Sequence, residues 1–196
     1  MGHDVSRIDE ILTFWFGGGS GSAFAARKAQ WFGGDREFDN EVRRTLAADY
    51  EQAATGQRDH WQDTPRGCLA LVLLLDQVPR QIFRGEPRAY ATDAPALDIA
   101  EHAFAVGFDR QLPPAQRLFL GLPFMHSERL DHQQRALAVA RQCHAENPEM
   151  ADAVSSALQH RAIIARFGRF PHRNALLGRP TTPAEAAFLK EPGSSF

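Results

Sequence analysis

Apolar residues along this chain recur every three to four positions rather than every two, the spacing of helices with one buried face. In "DVSRIDEILTFWFGGG" the residues Ile8, Ile11, Leu12 and Trp15 share a side, Asp4 or Ser6 stands where a cap is needed, and Gly17 ends the run. A glycine- and serine-rich loop from Gly17 to Ser22 follows, then a short helix in "AFAARKAQWFGG". From Glu37 a stripe of Phe38, Val42, Leu46, Tyr50 and Ala53 predicts a longer helix closed by Gly56. "DTPRGCLALVLLLDQVP" opens with Asp63 or Thr64 as cap and Pro65 in the first turn, where a missing N–H costs nothing. Its middle is apolar on every side, so this helix is expected at the centre with others around it.

The same grammar continues to the end of the chain. "TDAPALDIAEHAFAVGFD" reads as Asp93 capping, Pro95 entering, Leu97, Ala100 and Phe104 facing inward, and Gly107 stopping. "PPAQRLFLGLPF", "SERLDHQQRALAVARQC" and "PEMADAVSSALQHRAIIARFG" predict three more helices, the last ending at Gly168. Thr182, Pro183 and Glu185 make a capping box for a final helix reaching Lys190. Two prolines interrupt this pattern. Pro79 conflicts with the carbonyl of Leu75 and should kink or end the central helix, and Pro123 should break the chain before His126. No segment alternates with period two, so no strands are expected. The fold class is all-α: an irregular, tetratricopeptide-like array of antiparallel helix pairs, about eight to ten helices, in one domain over residues 1–196. The regular 34-residue tetratricopeptide spacing is missing.

Composition narrows the function classes. A formal net charge of −2 argues against a nucleic-acid or membrane-surface partner. The longest apolar run, "CLALVLLL", is too short to cross a bilayer, and the first ten residues carry acids where a secretory signal needs an apolar stretch. Cys68 and Cys143 lie far apart inside apolar helical patterns, as free buried thiols do. A cytoplasmic location follows by default. Of the 22 basic residues only Lys28 and Lys190 are lysine, a bias that scattered surface arginines explain without function.

Against that background, "RFGRFPHRNALLGR", residues 166–179, stands out with four arginines, one histidine and no acid. Arg169, His172, Arg173 and Asn174 could hold an anion, because guanidinium forks bind carboxylate or phosphate at two points. They could equally satisfy the open carbonyls at helix ends. Asp76 and Arg80, four apart, have the spacing of a helical ion pair. His126 and Glu128 flank Ser127, a cap for the next helix. His160 shares a face with Ile163, Ile164 and Phe167, the setting of a core histidine or of a general base. With Asp76 as orienting carboxylate, His126, Glu128 and His160 are candidate acid–base groups and weak candidate metal ligands. The sequence indicates no particular cofactor: a nucleophile elbow, a phosphate loop and a dinucleotide glycine pattern are all missing.

The order "ILTFWFG", "DQVPRQIFRG", "LPFMHSE", "FGRFPHRNALLGR" and "TTPAE" resembles an uncharacterised bacterial family, domain of unknown function 924, over Ile8 to Phe196. The resemblance implies an all-helical, tetratricopeptide-like fold and no particular activity. It places Asp76, Arg80, His126, Glu128, His160, Arg169, His172, Arg173 and Asn174 in the family's defining set. The chain departs from it at Val78 and Gln81, where an aromatic residue and an asparagine are usual, and at Arg129, where an acid is usual. The expected function is a helical binding module. Arg80, Arg169, Arg173 and His172 would hold a small anionic molecule or an acidic peptide, with Trp61 and Phe170 lining the cleft. An enzyme built on His126, Glu128 and His160, or a scaffold whose polar clusters are structural, are the alternatives.

Overall fold

The structure, a computed structural model, describes residues 2–17 and 23–194, so most of the loop expected up to Ser22 lies outside the described residues. Helix α1 spans Gly2–Phe16, α2 Ala23–Phe32 and α3 Arg36–Ala54, the last capped by Asp35. Neither Asp4 nor Ser6 caps α1, which is already helical at Gly2. The Asp4 carboxylate is drawn instead to the Trp61 indole N–H and to Arg58.

Thr64 caps α4, Pro65–Val72, accepting from the Gly67 amide at 3.1 Å, with Pro65 in the first turn. Gly67 is required by packing: a Cβ there would sit 2.0 Å from the Trp61 carbonyl oxygen. A backbone oxygen cannot give way as a side chain can. Gly67→Ala should therefore cost at least the 1–3 kcal/mol of ordinary overpacking, read from urea unfolding midpoints at constant slope.

Pro79 neither ends nor simply kinks the central helix. After α4 the chain widens into a π turn, Leu73–Gln77, whose closing bond runs from the Val78 amide to the Leu73 carbonyl. It then resumes as α5, Val78–Ile82. Having no N–H, Pro79 cannot serve the Leu75 carbonyl, and the Thr92 hydroxyl does so at 2.6 Å. From Cys68 to Val78 every side chain is buried. Around this rod stand α1, α3, α6 (Asp93–Ala105) and α7 (Pro114–His126).

The second half adds α8 (Leu130–Glu146) and α9 (Ala151–Phe167), with α7 packed on α8 and α8 on α9. Pro123 sits inside α7, which continues to His126, so the expected break does not occur. The end of α7 is secured from α8: the Gln133 amide donates to the carbonyls of Met125 at 2.7 Å and Ser127 at 2.6 Å. Ser127 does not cap α8, which starts after Arg129; its hydroxyl bonds to His132 Nδ1. Gly168, at φ 71°, ends α9. The capping box of Thr182 and Glu185 starts α10, Pro183–Phe188. Among the described residues there is no strand, and no helix is long and apolar enough to cross a membrane. The chain is all-helical, as its periodicity predicts.

Candidate functional site

A π turn spends one extra residue per turn and is frequently found where a helix must re-aim a side chain. Here it carries Asp76, fully buried, toward the end of α7. Asp76 Oδ1 accepts from His126 Nδ1 at 2.7 Å, and Oδ2 accepts from the Gln77 amide at 2.6 Å. Arg80 Nη1, one turn on, lies 3.3 Å from Oδ1 and also donates to the Asp76 carbonyl at 2.5 Å. Arg80 then forks onto Asp93, at 2.8 and 3.1 Å. Asp93 thus heads α6 as an ion-pair partner rather than the expected cap; Thr92 holds the cap position. On the far side Arg173 Nη1 donates to Asp93 at 3.3 Å. The result is one line of charge, His126–Asp76–Arg80–Asp93–Arg173, drawn from four separate segments.

Arg173 is the under-satisfied member. Its side chain is 7% exposed, and among the described residues it makes that single long hydrogen bond, while its buried Nε finds no acceptor. Its guanidinium is held by faces rather than by acceptors, 4.8 Å from the Tyr90 ring centre and 4.6 Å from that of Phe170.

His126, Arg80, Arg173 and Tyr90 border a hollow of about 510 Å³. His126, His160, His172, Arg80 and Arg173 line it on one side, and Trp31, Leu118, Leu122 and Met125 form its apolar wall, with half-exposed Phe32 at the rim. A smaller hollow of about 220 Å³ lies beyond, and Tyr90, His126 and Arg173 border both. The three histidines from distant segments do meet: the His126 and His160 rings are 6.4 Å apart, and Phe170 stands 5.5 Å from His160 and 5.7 Å from His172.

Electrostatics sorts the ionisation states. Burial opposes charge on Asp76, but the Arg80 cation and the His126 and Gln77 donors outweigh it and hold the carboxyl well below the usual range. Burial and the Arg80 charge lower His126 despite its carboxylate partner. His160 is pushed down to about 3, chiefly by burial, and His172 to about 4 by burial and then the Arg173 charge. All three are neutral at pH 7. With Nδ1–H given to an ionised acid, His126 carries its lone pair on Nε2. His160 shows the same tautomer, donating Nδ1–H to the Ser156 carbonyl at 2.8 Å.

A stability prediction follows. In the unfolded chain a histidine takes up a proton near 6.5, whereas His160 and His172 stay neutral in the fold to about 3 and 4. The unfolded state therefore binds more protons between those limits, and stability falls as pH drops from 6.5, by about 1.4 kcal/mol per pH unit for each imidazole held neutral. Urea midpoints from pH 7 to 5 should fall, and the slope should flatten in a His160→Gln, His172→Gln double variant.

Several expected site residues lie elsewhere. Trp61 is 2% exposed beside α1 and borders neither hollow. Arg169 forks onto Glu185 at 2.6 and 2.9 Å and donates to the Pro180 carbonyl, tying down α10. Asn174 is fully buried and accepts from Arg179 Nε at 3.0 Å. Glu128 borders the smaller hollow, but its oxygens accept from Arg179 and from the Phe170 amide, pinning the arginine-rich turn to the α7–α8 link. Among the described residues no group of three or more histidine, cysteine or acidic side chains is placed to hold a metal. Asp93 and Tyr90 were not anticipated. Asp93 reads as a helix cap in sequence, and nothing in the local pattern marks Tyr90.

A hollow walled by helices, with one fully buried carboxylate paired to a partly buried imidazole and one buried under-satisfied arginine, defines an all-helical protein with a built pocket. The chain belongs to the family described as bacterial protein of unknown function, DUF924, whose model matches residues 11–193. A solved structure described as a protein of unknown function, ATU0120 from Agrobacterium tumefaciens, is 36% identical, with a TM-score of 0.82 over 95% of this chain and 98% of that one. No curated protein matches.

Proposed function

We propose that this protein binds a small organic anion with an apolar body in the larger hollow, its acidic end against Arg173 and its body on the Trp31, Leu122 and Met125 wall. The observation that carries this reading is the state of Arg173. A guanidinium with five donors, buried between two rings, makes one long bond, and such a group is costly unless something else accepts from it. Arg80 is less available, since Asp76 and Asp93 already take its donors. A volume near 510 Å³ suits a small molecule better than an acidic peptide, which needs an open groove of the kind tetratricopeptide-like arrays present. The two free cysteines, both buried, fit a cytoplasmic setting.

Titration calorimetry with acetate, butyrate, hexanoate, benzoate and inorganic phosphate tests the reading. Affinity should rise from acetate to hexanoate as apolar surface is buried, and phosphate should bind no better than acetate. Absence of heat with every member of the series, at millimolar concentration, would overturn it.

A further inference from the structure

His126 stands on the partition between the two hollows. A base in that position can meet a substrate in one chamber with water from the other. Its Nδ1 is committed to Asp76 at 2.7 Å, which fixes the tautomer and leaves Nε2 to take a proton. Arg173, bordering the same two hollows, has donors to spare for one developing negative charge.

We propose that His126, oriented by Asp76, is a general base for hydrolysis of carboxylic esters with an apolar acyl chain. This rests on the binding reading above, since the carboxylate product is the anion assigned to the larger hollow. Water enters by the smaller hollow and gives a proton to His126 Nε2 as its oxygen bonds to the acyl carbon. The carbonyl electron pair moves onto oxygen, where Arg173 N–H groups stabilise it. When the carbonyl re-forms, the bond from acyl carbon to leaving oxygen breaks, and that oxygen takes the proton from His126. Ester and water become carboxylic acid and alcohol, with the imidazole restored.

The charge balance favours a neutral acyl substrate over a phosphate ester. Two arginines, Arg80 and Arg173, face two ionised acids, Asp76 and Asp93, the three imidazoles are neutral, and Lys28 and Arg84 on the lining pair with Asp152 and Asp39. The site is therefore already balanced and offers spare Arg173 N–H groups for one developing oxyanion rather than for a standing phosphate charge. The groups facing His126 are Asp76, Arg80, Asp93 and His160, with Arg173 and His172 beyond His160. Burial and then the Arg80 charge outweigh the acids and depress the imidazole below its ordinary value.

The test uses the full chain with 4-nitrophenyl acetate, butyrate and hexanoate, following nitrophenolate release, with hexanoate binding measured in parallel. Saturable release should rise with acyl length and be inhibited by hexanoate. His126→Gln should lower kcat/KM by 100-fold or more while leaving hexanoate bound. Asp76→Asn, which keeps the shape but not the charge, should also lower it, and the wild-type rate should level off at a lower pH than catalysis by free imidazole does. Because the pH profile needs no variant, it stands even if Asp76→Asn folds poorly. Hexanoate binding with no release above the His126→Gln background overturns the catalytic proposal and leaves the binding reading intact. Failure of both binding and release overturns both.

Discussion

Asp76→Ala should lower the unfolding free energy by about 3–5 kcal/mol, because it breaks a buried ion pair and leaves the buried Gln77 amide and the largely buried Arg80 and His126 without their shared carboxylate. Asp76 is fully buried, and its carboxylate accepts from His126 and Gln77 and pairs with the Arg80 charge. Alanine removes both carboxylate oxygens and leaves Arg80 with the residue-76 carbonyl and with Asp93 as its one acidic partner. Asp76→Asn keeps the shape and one oxygen, so its cost should be nearer the roughly 1–3 kcal/mol of an imperfectly satisfied buried group. Urea unfolding of the two variants beside wild type measures both. An alanine variant within about 1 kcal/mol of wild type would mean that the charged line contributes little to holding the π turn against α7.

Arg173 should behave in the opposite way. Arg173→Met keeps much of the apolar contact with Tyr90 and Phe170 while removing a buried charge whose one hydrogen bond is 3.3 Å long. Asp93 does not become an orphan, since Arg80 already donates to both its oxygens. Stability should change by less than about 1 kcal/mol, or rise, as replacement of a poorly satisfied buried ion by a packed apolar group often allows. Hexanoate affinity should fall by roughly 30-fold or more, the equivalent of about 2 kcal/mol for losing a desolvated charge contact. A variant that loses more than about 2 kcal/mol of stability and still binds hexanoate normally would make Arg173 a structural tie. The paired measurement matters because activity alone cannot separate a ligand contact from a fold defect.

Arg169 supplies the contrast within the same short turn. Its fork closes on Glu185, which also accepts from the Thr182 amide in the capping box of α10. Two arginines four residues apart therefore serve different ends: one forks onto an acid of α10, the other is left to a shared wall. Sequence offers no way to rank them, since both are arginines flanking a Phe-Pro pair in a run without acids.

Local chemistry made most of the helices legible. Thr64 before Pro65, Thr182 three residues ahead of Glu185, and Gly168 in the left-handed region act over a few residues, so their signals lie next to their effects. The all-round apolar run from Cys68 likewise had to be central, because no single face could bury it. The prolines were misread for the same reason in reverse. Pro79 is tolerated because Thr92, distant in sequence, serves the Leu75 carbonyl, and the carbonyls at the end of α7 beyond Pro123 are served by Gln133 of the next helix.

The chain's periodicity and caps were enough to determine an all-helical protein with a buried central rod and an arginine-rich turn after α9. Which of its polar residues face a common hollow was decided only by tertiary packing. The imidazoles of His126, His160 and His172 converge, while Trp61, Arg169 and Asn174 turn to partners of their own. A helix period specifies the side of its own axis on which a residue lies, but it does not specify the neighbouring helix that side will meet. The charges of Asp76, Asp93 and Arg173 acquire their roles from groups 13 to 80 residues away, at distances of a few ångströms that no local pattern encodes.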